Sequence, residues 1–255
     1  MSAGFYKLMG LLSTIMKKRL DILLVERGLA ATRTKAAEMV KTGFVSATCG
    51  GKLTKPGQEV PIDIELDIIQ NEQWVSRAAL KLNHAITHWN IDINSKTCLD
   101  LGASTGGFCE VLLKNGAAKI YAVDVGHGQL NPAIAANPKI ISLEKTNCKD
   151  LNKKLIPDAI DLITCDLSFI SLEKALPAAL ELGNELIALI KPQFEVGKEN
   201  IGSGIVKSEK LHAKVCAQIK DWLGSRNWLV SGIIDSPIIG GSGNKEFLIH
   251  ATRSL

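Results

Sequence analysis

Six cysteines (Cys49, Cys98, Cys109, Cys148, Cys165 and Cys216) are present, yet no two form a C-x-x-C pair, which excludes the usual zinc and dithiol-redox signatures. The five histidines, His84, His88, His127, His212 and His250, suggest no metal site, and none is assigned. No apolar run reaches the roughly 20 residues of a membrane span. Residues 5–16 resemble part of a signal peptide, but the cations Lys17, Lys18 and Arg19 follow the apolar run instead of preceding it. Residues 1–16 therefore read as a loose extension, with Met16 as an alternative start. Several cysteines lie in apolar runs, where a reduced thiol behaves as a small hydrophobe, and that places the chain in the cytoplasm.

What is present is ordinary for a folded chain: 255 residues, 46% hydrophobic and 22% charged, enough for one large core and a small module. The net charge of +4 is unevenly spread. Residues 1–60 hold ten Lys/Arg against four Asp/Glu, whereas the remainder holds 20 against 22. A concentrated positive region is the footprint of a nucleic-acid binder, though a solvated lysine-rich surface reads the same on charge alone.

The most informative stretch runs Asp100-Leu-Gly102-Ala-Ser104-Thr-Gly106-Gly107-Phe108 and continues into Lys119–Asp124. It predicts a buried strand, a glycine-rich turn, a helix and a second strand ending in an acid. Glycines admit a ligand close to the backbone, and an acid after the second strand can accept from two ribose hydroxyls. The spacing is Gly-x-x-x-Gly-Gly, and no Lys-Ser/Thr follows as a phosphate loop requires. S-adenosylmethionine fits this pattern better than NAD or ATP. Asp100, Gly102, Ser104, Gly106, Gly107 and Asp124 are the candidate cofactor residues, with Asn147, after the third strand, toward the adenine.

Strand-like runs fall at residues 97–101, 119–124, 139–143, 160–166, 185–191, 228–234 and 245–251, with helical patterns at 106–114, 172–182 and 208–223. This alternation predicts an α/β, mostly parallel seven-stranded sheet whose last strand is antiparallel. Ligands in such sheets sit at the carboxyl ends of the strands, where Asp100, Asp124, Asp166 and Lys191 fall. Lys191 stands out because it ends the apolar run Leu186–Ile190, where an unpaired lysine is costly to bury.

Before this domain, Leu20, Leu23, Leu24 and Val25 predict a short helix that Gly28 stops in a left-handed conformation. Thr32 predicts the cap of a second helix, with Ala36, Met39 and Val40 buried and Arg33, Lys35 and Lys41 on or beside the exposed face. A strand at 44–48 and turns at Cys49–Gly51 and Lys55–Gly57 follow. Arg19-Leu-Asp-x-x-Leu, Gly28-Leu-Ala, Arg33-x-x-Ala36 and Lys55-Pro-Gly-x-x-Val60 resemble the S4 RNA-binding fold, a small α+β module.

From Lys17 to Leu248 the chain resembles the hemolysin A-like (TlyA-type) ribosomal RNA 2′-O-methyltransferases, in which an S4 module precedes an FtsJ-like, Rossmann-like methyltransferase domain. The resemblance rests on Ser76-Arg77-x-x-x-Lys81-Leu, Asp100-x-Gly-Ala-Ser-Thr-Gly-Gly-Phe, Val123-Asp124-Val-Gly-x-Gly128, Asp166-Leu-Ser-Phe-Ile, Lys191-Pro-Gln-Phe-Glu195 and Gly243-Asn244-x-Glu246-Phe247. It implies domains at 17–73 and 74–255, S-adenosylmethionine as cofactor, ribosomal RNA or ribosomal subunits as partner, and methylation of cytidine in 16S or 23S RNA. It also implies a catalytic Lys-Asp-Lys-Glu tetrad, here Lys81, Asp166, Lys191 and Glu246, and RNA contacts from Arg19, Arg33, Lys35, Lys41 and Arg77. In this reading Lys191 takes the hydroxyl proton or stabilises the alkoxide; a lysine base near neutral pH needs a depressed pKa. Base methylation, a noncatalytic ribosome-assembly factor and a cytolysin are the alternatives.

Overall fold

A computed structural model describes residues 16–41, 43–48, 53, 55–68, 74–197, 204–240 and 243–254. The chain divides into two compact units, Met1–Arg77 and Ala78–Leu255. The expected boundary at 73/74 adjoins residues outside the described set, and Arg77 belongs with the first unit. The expected extension lies outside the described residues except for Met16, as does the expected turn Cys49–Gly51.

In unit 1, β1 (Lys17–Arg19) runs straight into α1 (Leu20–Glu26), followed by α2 (Arg33–Lys41), β2 (Val45–Ala47), β3 (Glu59–Pro61) and β4 (Leu66–Ile68). Strands pair antiparallel as β1–β3 and β2–β4. Leu20, Leu23, Leu24, Ala36, Val40, Val45 and Val60 form the core, the 3.6-residue and 2-residue spacings turning their apolar sides to one interior. Gly28 takes φ +69° just after α1, and Thr32 Oγ1 accepts the Lys35 N–H at 3.1 Å, as the sequence predicts. Gln58 N–H donates to Lys55 C=O at 3.0 Å and closes the expected Lys55–Gly57 turn.

Unit 2 opens with α3 (Ala78–Trp89), a helix absent from the periodicity-based expectation. Then come β5 (Thr97–Leu101), α4 (Gly107–Lys114), β6 (Lys119–Val123), α5 (Pro132–Ala135), β7 (Ile140–Leu143), β8 (Leu162–Cys165), α6 (Leu172–Ala175), α7 (Pro177–Leu180), β9 (Glu185–Ile190), α8 (Pro192–Glu195), α9 (Glu209–Gly224), β10 (Trp228–Asp235) and β11 (Phe247–Arg253). The expected single helix over 172–182 is two short ones, because Pro177 lacks the N–H that would continue the ladder.

One sheet has the order β10-β11-β9-β8-β5-β6-β7. Pairs from β7 to β9 are parallel, and β11 inserts antiparallel between β9 and β10. Central β8 is buried at every position, as helices on both faces require. The seven expected strands and the antiparallel last one are thus present, with β11 displaced two residues toward the C-terminus.

Candidate active site

The glycine-rich turn leaves β5 with three residues in left-handed backbone: Gly102 (φ +84°), Ser104 (φ +45°) and Gly106 (φ +92°). A Cβ on Gly102 would stand 2.8 Å from the Asp166 carbonyl oxygen, so this glycine lets the turn and the end of β8 lie side by side. Asp124, just beyond β6, accepts the Ser104 N–H on one oxygen (2.8 Å) and the Gly126 N–H on the other (2.7 Å). It is half-buried and fixes the turn while keeping lone pairs for further donors.

Asp100 behaves differently from the expected ligand contact. It is wholly buried and accepts from Thr164 Oγ1 (2.9 Å) and Cys109 Sγ (3.1 Å). Burial pushes its carboxyl up to about 7, against the pull of those two donors. It braces β5, β8 and α4 from within. Asn147 is exposed and caps the short 3₁₀ turn Cys148–Asp150 by accepting the Lys149 N–H at 3.1 Å. Nearby, Glu144 accepts the Gly128 N–H at 2.8 Å and pairs with His127 at 2.5 Å, and His127 holds its carboxyl below the usual range.

At the ends of β8 and β9 the four charged residues meet. Lys81 Nζ lies 2.7 Å from Glu246 Oε2 and 3.7 Å from Asp166 Oδ2; Lys191 Nζ lies 2.5 Å from Asp166 Oδ1. Lys81, Lys191 and Glu246 are 6%, 7% and 4% exposed, so this cluster is desolvated and its charges must neutralise one another. Each arrives from a different place in the fold: Lys81 from the first turn of α3, Asp166 and Lys191 from the residues just after β8 and β9, Glu246 from the residue before β11. Gly240 makes room, since a Cβ there would meet Glu246 Oε1 at 2.2 Å. Lys191 Nζ also donates to Ser168 Oγ at 3.1 Å.

Burial and neighbouring charge pull in opposite directions on Lys191 and Asp166. Burial alone would lower the Lys191 pKa, but the Asp166 and Glu246 carboxylates outweigh it and the net direction is up. For Asp166, burial pushes up while Lys81 and Lys191 pull harder the other way, and the net direction is down. Lys191 therefore rests as an ammonium against the Asp166 carboxylate, not as a neutral lysine. Cys165, beside Asp166, is fully buried in the core and its thiol is pushed up by burial, the opposite of an activated nucleophile.

Two features escaped the sequence reading. Phe169 is 90% exposed, holds a left-handed φ of +67°, and lays its ring 5.1 Å from that of Phe194. Asn244 is fully buried, accepts the Val206 N–H at 2.9 Å and donates to the Gly204 carbonyl at 2.9 Å, anchoring the segment that carries Glu246. An apolar residue after a strand and an Asn following a glycine carry no local pattern from which either role can be read.

Of the expected RNA contacts, Arg19 and Arg33 converge in unit 1 on the buried Asp21, at 2.8 and 3.2 Å. Arg19, then Arg33, hold the Asp21 carboxyl down at about 2, against burial. A Cβ on Gly57 would stand 3.0 Å from the Arg19 guanidinium, so glycine gives that group its place. Lys35 is exposed, the Lys41 side chain lies outside the described residues, and Arg77 lies where a Cβ on Gly43 would be.

A glycine-rich turn and an acid after the next strand, on a sheet of this order, are features of an FtsJ-like methyltransferase, and that family matches residues 74–253. Its methyl donor is S-adenosylmethionine. Over 239 residues the chain is 39% identical to the 16S/23S rRNA (cytidine-2′-O)-methyltransferase TlyA of Mycobacterium tuberculosis, covering 91% of this chain and 89% of that one. It is 37% identical to Hemolysin A of Brachyspira hyodysenteriae, covering 91% and 98%. A solved structure of a candidate hemolysin from Streptococcus thermophilus superposes with a TM-score of 0.73 at 36% identity, covering 93% and 89%. The chain belongs to this TlyA and hemolysin A family of FtsJ-like methyltransferases.

Proposed function

We propose that the chain methylates a ribose 2′-hydroxyl of ribosomal RNA, at cytidine as the named relatives do, and that unit 1 is an S4-like module that holds the RNA by its phosphates. Cytoplasmic ribosomal subunits are then its partners. The observation that carries this reading is the buried Lys81–Glu246 and Asp166–Lys191 cluster beside the glycine-rich turn.

Asp124 fits the donor, because its carboxylate retains acceptor capacity for ribose hydroxyls, and Gly102 and Gly106 supply the left-handed backbone of the turn that it holds. When bound, S-adenosylmethionine supplies an electrophilic methyl group on a sulfonium. The residues of the chain orient the acceptor. Lys191, charged at rest, donates to the ribose oxygen and stabilises charge developing there, the second of the two roles expected for it, while the hydroxyl proton is lost to bulk water as the oxygen takes the methyl group. Asp166 fixes both ammonium groups and Glu246 fixes Lys81, so positioning is the main catalytic contribution. Phe169 offers an aromatic face to a base drawn out of its stack.

Mapping alkali-resistant linkages in ribosomal RNA treated with the protein and donor tests the reading, because a 2′-O-methyl group protects the adjoining phosphodiester and a base methyl does not. Methylated RNA that stays fully alkali-labile would sink it.

A further inference from the structure

The run Lys191–Glu195 ends on a carboxylate that the chemistry above leaves unused. Glu195 closes α8, and its Oε1 accepts the backbone N–H of Leu172 at 2.9 Å. Leu172 opens α6, and the residue before it, Ser171, makes no side-chain cap of its own. Glu195 Oε2 is buried with no hydrogen-bond partner among the described residues. Burial pushes this carboxyl up to about 7, the Leu172 N–H opposing and the Glu173 carboxylate adding to the push. A half-satisfied buried acid costs stability, so its presence calls for a reason other than stability.

Position is that reason. Two loops frame the acceptor side of the site: residues 166–171 after β8 and residues 191–196 after β9. Three links join them. Lys191 reaches Asp166 and Ser168, Phe169 meets Phe194, and Glu195 holds Leu172 N–H. The first two use groups that the proposed reaction turns toward RNA. The third uses a backbone N–H and a carboxylate to which the proposed reaction gives no other task.

We propose that Glu195 is a positioning residue for methyl transfer, whose hydrogen bond to the Leu172 N–H fixes the loop of Asp166, Ser168 and Phe169 against the turn of Lys191 and Phe194. The inference rests on the ribose-methylation reading. A displacement of about 1 Å between reacting groups costs on the order of 100-fold in rate, so a lost brace need not disturb donor binding to be felt.

The test uses the full chain with ribosomal subunits from cells that lack it, and compares Glu195→Ala, Glu195→Gln and Glu195→Asp. Glu195→Ala is expected to lower kcat by roughly 10- to 100-fold while the Kd for S-adenosylmethionine stays within about threefold. Glu195→Gln keeps an oxygen to accept the N–H and is expected to restore kcat to within about threefold at pH 7. Glu195→Asp keeps the charge but shortens the reach, and its kcat should fall below that of the glutamine variant. Wild-type kcat in Glu195→Ala, or a parallel fall in donor affinity, overturns the proposal. If Glu195→Ala fails to fold, the Gln and Asp variants decide: an aspartate more active than glutamine overturns it. Wild-type protein that produces no alkali-resistant site overturns the ribose reading itself, and this inference with it.

Discussion

Both units hold cations against an acid, and they do so for opposite ends. In unit 2, Lys81 and Lys191 are buried with Asp166 and Glu246. In unit 1, Asp21 is buried but the side chains of Arg19 and Arg33 are 47% and 61% exposed. A desolvated cluster feels each charge strongly and permits few arrangements, whereas an exposed guanidinium is screened by salt and keeps donors free for a second anion. The comparison teaches that the same ion-pair chemistry is sealed from water in one unit and open to it in the other, and the proposed roles of reaction site and docking site rest on that difference.

Removing a charge from each region should separate them. The largest effect is expected from Lys191→Ala: methylation of ribosomal RNA should become undetectable by donor-label incorporation, with donor affinity within a few fold. Turnover equal to wild type would break the assignment of the sealed cluster. Next, Glu246→Ala leaves Lys81 without its 2.7 Å partner and should cost about 3–5 kcal/mol of stability in urea unfolding. A cost near zero would mean that solvent reaches the cluster.

A third expectation concerns pH. Asp100 and Glu195 both have carboxyls raised to about 7. A raised carboxyl contributes stability that is fully present below its unfolded value and is lost as pH rises through the folded one. The wild-type protein should therefore lose stability between about pH 4.5 and pH 7, and Glu195→Gln should flatten part of that loss. An unchanged slope in the variant would remove Glu195 from the account.

The open cluster should respond more gently. Arg33→Ala should weaken RNA binding about equally for all sequences and reduce the salt slope by about one. Asp21→Asn sharpens the comparison further. On net charge alone this change should tighten RNA binding; if Asp21 serves to aim two guanidiniums, it should weaken it. Tighter binding by filter retention would show that Asp21 contributes only charge.

Much of this was legible beforehand because it depends on local spacing. Gly28 and Thr32 end and start helices by their own backbone and side-chain chemistry, and apolar runs such as Leu186–Ile190 can only be buried strands in an alternating chain. Other features were not legible. The helix Ala78–Trp89 was hidden because Lys81 sits on its buried side, so its apolar stripe is interrupted by a charge that only distant carboxylates make tolerable. Asp100 looked like a ligand contact by its place in the motif, yet its side chain turns inward to Thr164 and Cys109. Phe169 carries no local mark of its left-handed backbone or of its exposure.

The order of residues alone determined the α/β alternation, the antiparallel end of the sheet and the residue types at the strand ends, because periodicity and turn chemistry act over a few positions. Only the tertiary structure decided that Lys191 rests as an ammonium, that Asp166 lies between two cations, and that Asp21 gathers two arginines. Those outcomes depend on burial and on charges as far apart in the chain as Lys81 and Asp166, and electrostatic energy in a low-dielectric interior is set by distance in space rather than along the chain.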